Sequence, residues 1–154
     1  MNHVVPPSRS NRIAHRAHRA LVHAWASPAT LVGLLAAIGA LATGATVRVV
    51  DGVVEVAGGR VERFVLRLPR GARFAAITFG HVVLGIDHAT LAELRAHERV
   101  HVRQYERWGA LFFPIYAASS LRAFATGRDP YRDNGFEREA FARCEARDAP
   151  RSPG

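Results

Sequence analysis

Positions 97 to 101 read His-Glu-Arg-Val-His, two imidazoles four residues apart with a carboxylate beside the first. On a helix, residues i and i+4 lie one above the other, so His97 and His101 can reach one zinc ion while Glu98 flanks the open coordination position. The chemistry of such a set is metal-assisted hydrolysis of a peptide bond. Zinc lowers the pKa of its water to about 7, and Glu98 is placed to take the proton and return it to the leaving amine. A developing oxyanion needs one more donor, for which Tyr131, Tyr116 and His81 are the candidates, and Tyr131 is the one assigned a catalytic role.

A catalytic zinc takes three protein ligands and one exchangeable water, so another His, Asp or Glu must come from a different element. Gln104 and Arg107 stand three and six residues after His101, where a metzincin has glycine and histidine, and that class is excluded. In glutamate zincins the third ligand lies on a later helix, which leaves Glu137 and Glu139. Glu139 has Arg143 four residues on, in the favourable direction for an exposed ion pair, whereas Glu137 shares its face with Ala140, Phe141 and Cys144. Glu137 is therefore the inward candidate, with Asp133, His81 and His88 as outsiders.

The elements that must position these groups are legible around them. Thr90-Leu91-Ala92-Glu93 has the form of a capping box and Gly109 follows a periodic pattern, predicting a helix from about Leu91 to Trp108. Leu91, Leu94, His97, His101, Tyr105 and Trp108 recur at spacings of three and four, placing both histidines in an inward apolar stripe opposite Arg95, Arg99, Arg103 and Glu106. Buried imidazoles need polar partners, and a metal satisfies both at once. Upstream, Thr46 to Val50 and Val53 to Val56 flank Asp51-Gly52, the signature of a hairpin with a type I′ turn. Phe64 to Leu68, Phe74 to Phe79 and His81 to Leu84 extend the strand pattern, with Gly80 as a bend or bulge and a free edge for an extended substrate. Downstream, Pro114 suits the first turn of a helix reaching about Phe124, expected to be buried under the site, and Asn134 caps another from Gly135 to about Arg147.

The first third of the chain is different in kind. Residues 1–20 form a basic arm with Arg9, Arg12, Arg16 and Arg19; its His15 and His18 are read as part of a solvated face rather than as ligands. From Ala20 to Val47 there is no Asp, Glu, Lys or Arg. An apolar helix of about 18 residues spans roughly 27 Å, enough to meet the hydrocarbon core, so residues 21–47 are a candidate membrane anchor; a buried helix and a signal sequence share that composition. With 154 residues one core is expected, in a domain over residues 48–147, followed by a disordered tail over 148–154. The formal charge of +8 comes entirely from arginine, with no lysine, and reads more as coding bias than as a binding face. No aromatic-basic platform supports a nucleic-acid partner. The lone Cys144 excludes an internal disulfide. The expected partners are a peptide or protein substrate and a membrane, and a metal-binding adaptor without hydrolytic activity is the competing class.

Glu137-Arg138-Glu139-Ala140 resembles the Glu-x-x-Ala of gluzincin peptidases of the membrane heat-shock and prenyl-protein protease type, with Phe141 where those proteins have aspartate. His97 to Glu106, Leu111-Phe112-Phe113-Pro114 and Asp129 to Ala140 together look like a family of small bacterial HExxH proteins of unassigned activity, a resemblance over roughly the last two thirds of the chain. It implies a minimal α+β zincin-like fold: a small antiparallel sheet, the HExxH helix, two further helices and an apolar N-terminal helix. It further implies zinc on His97, His101 and Glu137, with Glu98 as the catalytic glutamate and Asp133 or Asp129 standing in for the missing aspartate.

Overall fold

Valine-rich segments on either side of Asp51-Gly52 pair as an antiparallel hairpin, β1 (Ala45–Val50) and β2 (Val53–Gly58), in register from Ala45 opposite Gly58 to Val50 opposite Val53. Asp51 and Gly52 have φ of 47° and 78°, the two left-handed residues that a type I′ turn demands. The computed structural model describes residues 9–69 and 73–148, with side chains from residue 21 onward and not that of residue 148. The basic arm's side chains, with His15 and His18, and all but the backbone of the first residue of the expected tail lie outside the described residues.

The rest of the chain makes a mixed α+β domain. A long helix α1 (Arg9–Ala42) precedes the hairpin; α2 (Val61–Arg67), β3 (Ala76–Phe79), β4 (Val82–Gly85), α3 (His88–Trp108), α4 (Phe112–Ala125) and α5 (Gly135–Asp148) follow it. The sheet order is β1-β2-β4-β3, with β4 antiparallel to β3 but parallel to β2. The expectation of a purely antiparallel sheet is corrected. The chain leaves β2 through α2, reaches the far edge as β3, and turns back at Gly80 so that β4 inserts between β3 and β2 in the direction of β2. Local turn chemistry specifies each hairpin but not which strand fills the gap.

Residues 64–68 are the second correction, being mostly helix rather than strand. Val61 and Val65, four apart, are buried together while Phe64 and Leu66 face outward, so a helical period beginning before the alternating Phe-Val-Leu-Arg-Leu run sets the conformation. Leu68 then caps the helix in an extended conformation.

Both faces of the sheet are covered, and the pleat sorts the side chains. Val56, Val82 and Leu84, with Val54, Ile77 and Phe79, pack towards α1 and α2. Val53, Ala57 and Val83, with Ala76, pack with Leu91 and Val102 of α3. Glu55, on the α3 side, is buried and accepts two hydrogen bonds from the Arg95 guanidinium at 2.8 and 3.0 Å. The Arg95 bond, stronger than the opposing effect of burial, holds the Glu55 carboxyl below its ordinary range. Arg99 donates to Val50 O and lies 3.9 Å from Glu55, so both arginines serve the sheet and are not simply the solvated side of α3.

Along the sheet, helix α1 docks on this sandwich mainly through small residues. Ala26, Thr30, Gly33, Ala37 and Ala40, at alternating spacings of four and three, face the sheet and α3, while Leu31, Val32, Leu35 and Ile38 point away. Leu21–Ala42 is long and apolar enough to cross a bilayer, yet the helix stops at Ala42 and residues 45–47 open β1, so the apolar helix expected over 21–47 is shorter at its C-terminal end. A Cβ on Gly33 would sit 2.7 Å from Val82 Cβ and 2.9 Å from Phe79 Cβ. Gly33→Leu is expected to push α1 off the sheet at a cost of about 3 kcal/mol, read from the denaturant midpoint, although leucine is the better helix former.

Helix α4 is the third correction. Phe112 and Ala123 are its buried residues, and Phe113, Leu121 and Phe124 are exposed, so it is not a buried helix beneath the site. Pro114 does occupy its first turn, and Asn134 Oδ1 accepts from Phe136 N at the start of α5.

Candidate metal centre

Helix α3 begins at His88, three residues before the capping box predicted, because the cap is Asp87. Its carboxylate accepts from Thr90 N at 2.8 Å and from Thr90 Oγ1 at 2.7 Å. At the other end Gly109 caps with φ 57°, and the Trp25 ring of α1 lies where any Cβ would stand, 2.6 Å away. Both ends of the helix are thus fixed, and His97, Glu98 and His101 are all buried along it.

Helix α5 crosses α3 and brings Glu137 to the two imidazoles. His97 Nε2 is 3.0 Å from Glu137 Oε2, His101 Nε2 is 3.4 Å from Glu137 Oε1, and the two Nε2 atoms are 3.1 Å apart. The three side chains are the one group of metal-ligating residues found together among the described residues. A tetrahedral zinc site with bonds of about 2.05 Å has donor-to-donor edges of about 3.3 Å. The edge between the two Nε2 atoms is close to that, and with one Glu137 oxygen all three ligand atoms lie within 4.8 Å of one another.

The hydrogen bonds around His101 determine which nitrogen carries its proton. The Gln104 amide donates from Nε2 to Phe136 O at 3.1 Å and to Glu139 Oε2 at 3.0 Å, so its Oε1, 2.8 Å from His101 Nδ1, must accept. His101 therefore bears hydrogen on Nδ1, and the Nε2 lone pair of the neutral ring is directed at Glu137 and His97. Gln104 is a functional residue that sequence reasoning read only as a departure from the metzincin pattern. Its helical spacing from His101 was the available signal. Gln104→Met, which keeps the volume and loses the acceptor, is expected to weaken zinc binding about tenfold by competition with a chelating dye.

Glu139 faces away from the imidazoles. It holds Gln104 on one side and Arg143 at 2.7 Å on the other, with Arg107 at 3.8 Å. Asp129 and Asp133 are not beside the ligands either. Asp129 accepts from Tyr131 N and Arg132 N, and Asp133 accepts from Asp129 N, so both carboxylates shape the loop before α5. Phe141 packs its ring 4.9 Å from that of His97, an apolar buttress rather than a hydrogen-bond partner. The support expected from Asp129 or Asp133 comes instead from Gln104 and Glu139.

Electrostatics follows from the same contacts. Burial is the largest single effect on both His101 and Glu137 and opposes charge on each. The hydrogen bond from the protonated His101 ring to Glu137 and the attraction between their charges, joined by Glu98 and Gln104 at His101 and by His97 and Tyr116 at Glu137, together outweigh it, raising the His101 pKa and holding Glu137 well below the usual carboxylate range. Tyr116 donates its hydroxyl to Glu137 Oε1 at 2.7 Å. Burial first, and the Glu137 carboxylate second, push the Tyr116 phenol upward, so it remains a donor near neutral pH. Tyr131 is likewise pushed up by burial and then by the Glu137 charge, although its ring is half-exposed and rests against Phe141.

Glu98 points towards β3. Thr78 Oγ1 donates to Glu98 Oε2 at 2.7 Å, and no protein hydrogen bond to Oε1 is found among the described residues. Thr78 is the second functional position that the sequence reading missed; no local signal marks it, since the strand alternation alone leaves its partner unspecified. Thr78, Glu98, His101, Tyr116, Tyr131 and Glu137 line a cavity of about 240 Å³. Strand β3, at the sheet edge, forms its rim.

His81 and His88 lie elsewhere. His81 Nε2 is 3.2 Å from Glu106 Oε1 and its ring stands 4.3 Å from that of His23 on α1, so it is neither a third ligand nor an oxyanion donor. His88 Nε2 meets Thr46 Oγ1 at 2.8 Å on the hairpin. Comparison of the chain with protein-family models, curated proteins and solved structures gives no match, so the chemistry of the centre is read from its own side chains.

Proposed function

We propose that the protein is a minimal zincin-like, zinc-dependent peptidase. The observation that carries this reading is the convergence of His97, His101 and Glu137, with Glu98 one residue from the first ligand and at the wall of the same cavity. Two imidazoles and one carboxylate are a donor set suited to zinc rather than to the all-oxygen shells of magnesium or calcium. Zinc bound by these three groups supplies a Lewis acid that activates water near neutral pH. Glu98, fixed by Thr78 through Oε2, uses its other oxygen to accept the proton of the attacking water. It then passes that proton to the amine nitrogen as the carbon–nitrogen bond breaks. Tyr116 orients Glu137, and Tyr131, which lines the same cavity at its half-exposed side, is the hydroxyl that we assign to stabilise charge on the substrate carbonyl oxygen. An extended peptide lying along the open edge of β3 gains main-chain hydrogen bonds with little demand on sequence.

Membrane association belongs to the same reading. The outward face of α1 carries Leu31, Val32, Leu35 and Ile38, all more than half exposed. A lipid phase is the environment in which that face costs least. Leu31→Ser with Leu35→Ser is expected to move the protein from the membrane pellet to the supernatant with its fold intact.

The deciding experiment measures zinc per chain and hydrolysis of an unfolded, labelled protein, before and after chelation and on re-addition of zinc. One zinc with chelator-sensitive cleavage supports the peptidase; one zinc without cleavage gives the adaptor reading; cleavage that persists without metal overturns the proposal.

A further inference from the structure

A second cavity lies on the opposite side of the sheet from α3 and plays no part in the chemistry above. It is a groove of about 660 Å³, open on one side, between the C-terminal half of α1, α2 and the outer face of β3. Its floor and walls are Ala36, Gly39, Phe64, Phe74, Ile77 and Leu84, and its rim carries Arg60, Arg63 and Arg67. Three properties distinguish it from a packing defect. Its volume is that of a small-molecule site, far beyond a void that side chains leave by chance. Phe64, a large apolar side chain of its lining, stands 59 % exposed. The three arginines have no acidic partner among the described residues, although Glu62 shares their helix.

We propose that this groove binds one acyl chain of an anionic bilayer phospholipid, with the headgroup phosphate held by Arg60, Arg63 and Arg67. An apolar trough ending in unpaired guanidinium groups is complementary to a hydrocarbon chain ending in a phosphate, and arginine pairs with phosphate through parallel hydrogen bonds. Bilayer lipid is favoured over a free fatty acid because the groove opens beside the lipid-compatible stripe of α1. Ala36, Gly39 and Thr43 line the trough, and Leu35 and Ile38 on the adjacent stripe are exposed. A second acyl chain can therefore stay in the bilayer while the first is taken up. The small side chains of α1 at this level make the room: nothing lies within 4 Å of where a Gly39 Cβ would stand. This inference rests on the membrane-associated reading of α1 and is independent of the peptidase chemistry.

The test is native mass spectrometry of the full chain in a nonionic detergent, titrated with phosphatidylglycerol, phosphatidylcholine and a free long-chain fatty acid. Wild type is expected to hold one phosphatidylglycerol per chain, about tenfold tighter than phosphatidylcholine and tighter than the fatty acid. Gly39→Leu fills the trough with a good helix former and is expected to weaken both phospholipids at least about tenfold. Arg63→Glu with Arg67→Glu, both at exposed positions, is expected to abolish the headgroup preference and leave phosphatidylcholine binding unchanged. Unaltered stoichiometry and preference in both variants would place the lipid on the outer face of α1 and overturn the proposal, and tighter binding of the fatty acid would overturn its source. Flotation of wild type and variants on neutral vesicles tests the α1 anchor separately: loss of lipid adducts with flotation retained is a result about the groove alone.

Discussion

Glu98→Gln is expected to bind one zinc per chain with wild-type affinity and to hydrolyse peptides about a thousandfold more slowly. The substitution is nearly isosteric, and the amide oxygen can still accept the 2.7 Å hydrogen bond from Thr78 Oγ1, so the side chain keeps its place beside the ligands. What it loses is the ability to take and return a proton, a role worth about two to four orders of magnitude in rate. Zinc content by atomic emission and single-turnover cleavage of the labelled substrate separate the two effects. Retained hydrolysis at full zinc occupancy would remove Glu98 from the base role and leave the cavity's tyrosines to be reconsidered.

The paired variants Glu137→Ala and Glu139→Ala give the second large effect, and their difference is the informative quantity. Glu137→Ala removes one corner of the donor triangle and leaves the Tyr116 hydroxyl without its acceptor, so zinc affinity should fall by more than about 100-fold and hydrolysis with it. Glu139→Ala removes only the anchor of Gln104 and the partner of Arg143, so stoichiometric zinc should remain, bound about tenfold more weakly. Equal losses would mean that either carboxylate can serve as ligand. The wild-type pH dependence follows from the raised pKa of His101. Its proton must leave before Nε2 can coordinate, so zinc affinity should rise with pH, by about tenfold per unit below the raised pKa, and flatten above it. In Glu137→Ala the strongest influence holding this proton is gone and only Glu98 and Gln104 oppose burial, so the flattening should move to lower pH.

The residues that matter were legible in the chain to different depths. The imidazole pair and its carboxylate follow from helical geometry acting within five residues, and the Asp51-Gly52 turn follows from two left-handed positions that valine-rich flanks cannot supply. Glu137 was separable from Glu139 because an i,i+4 arginine marks an exposed face. Each of these is a local rule, satisfied within one or two turns of chain. Residues 64–68 depart from the strand expected there because alternation and helical period compete in a short apolar run, and burial of Val61 and Val65 against the sheet decides between them. The exposed face of α4 departs from expectation for a related reason: composition reports that a helix is apolar, and only its neighbours decide how much of it is covered.

Sequence alone determined the chemistry available to this protein: which atoms can ligate, which can accept a proton, and which helix carries them. Tertiary structure alone decided what surrounds that chemistry. The hydrogen bond from Thr78 to Glu98 spans 20 residues, that from Gln104 to Glu139 spans 35, and the groove under α1 is walled by residues of α1, α2, β3 and β4. Such contacts depend on how strands insert and helices cross, and those choices are made by burial summed over the whole core rather than by the preferences of any one segment.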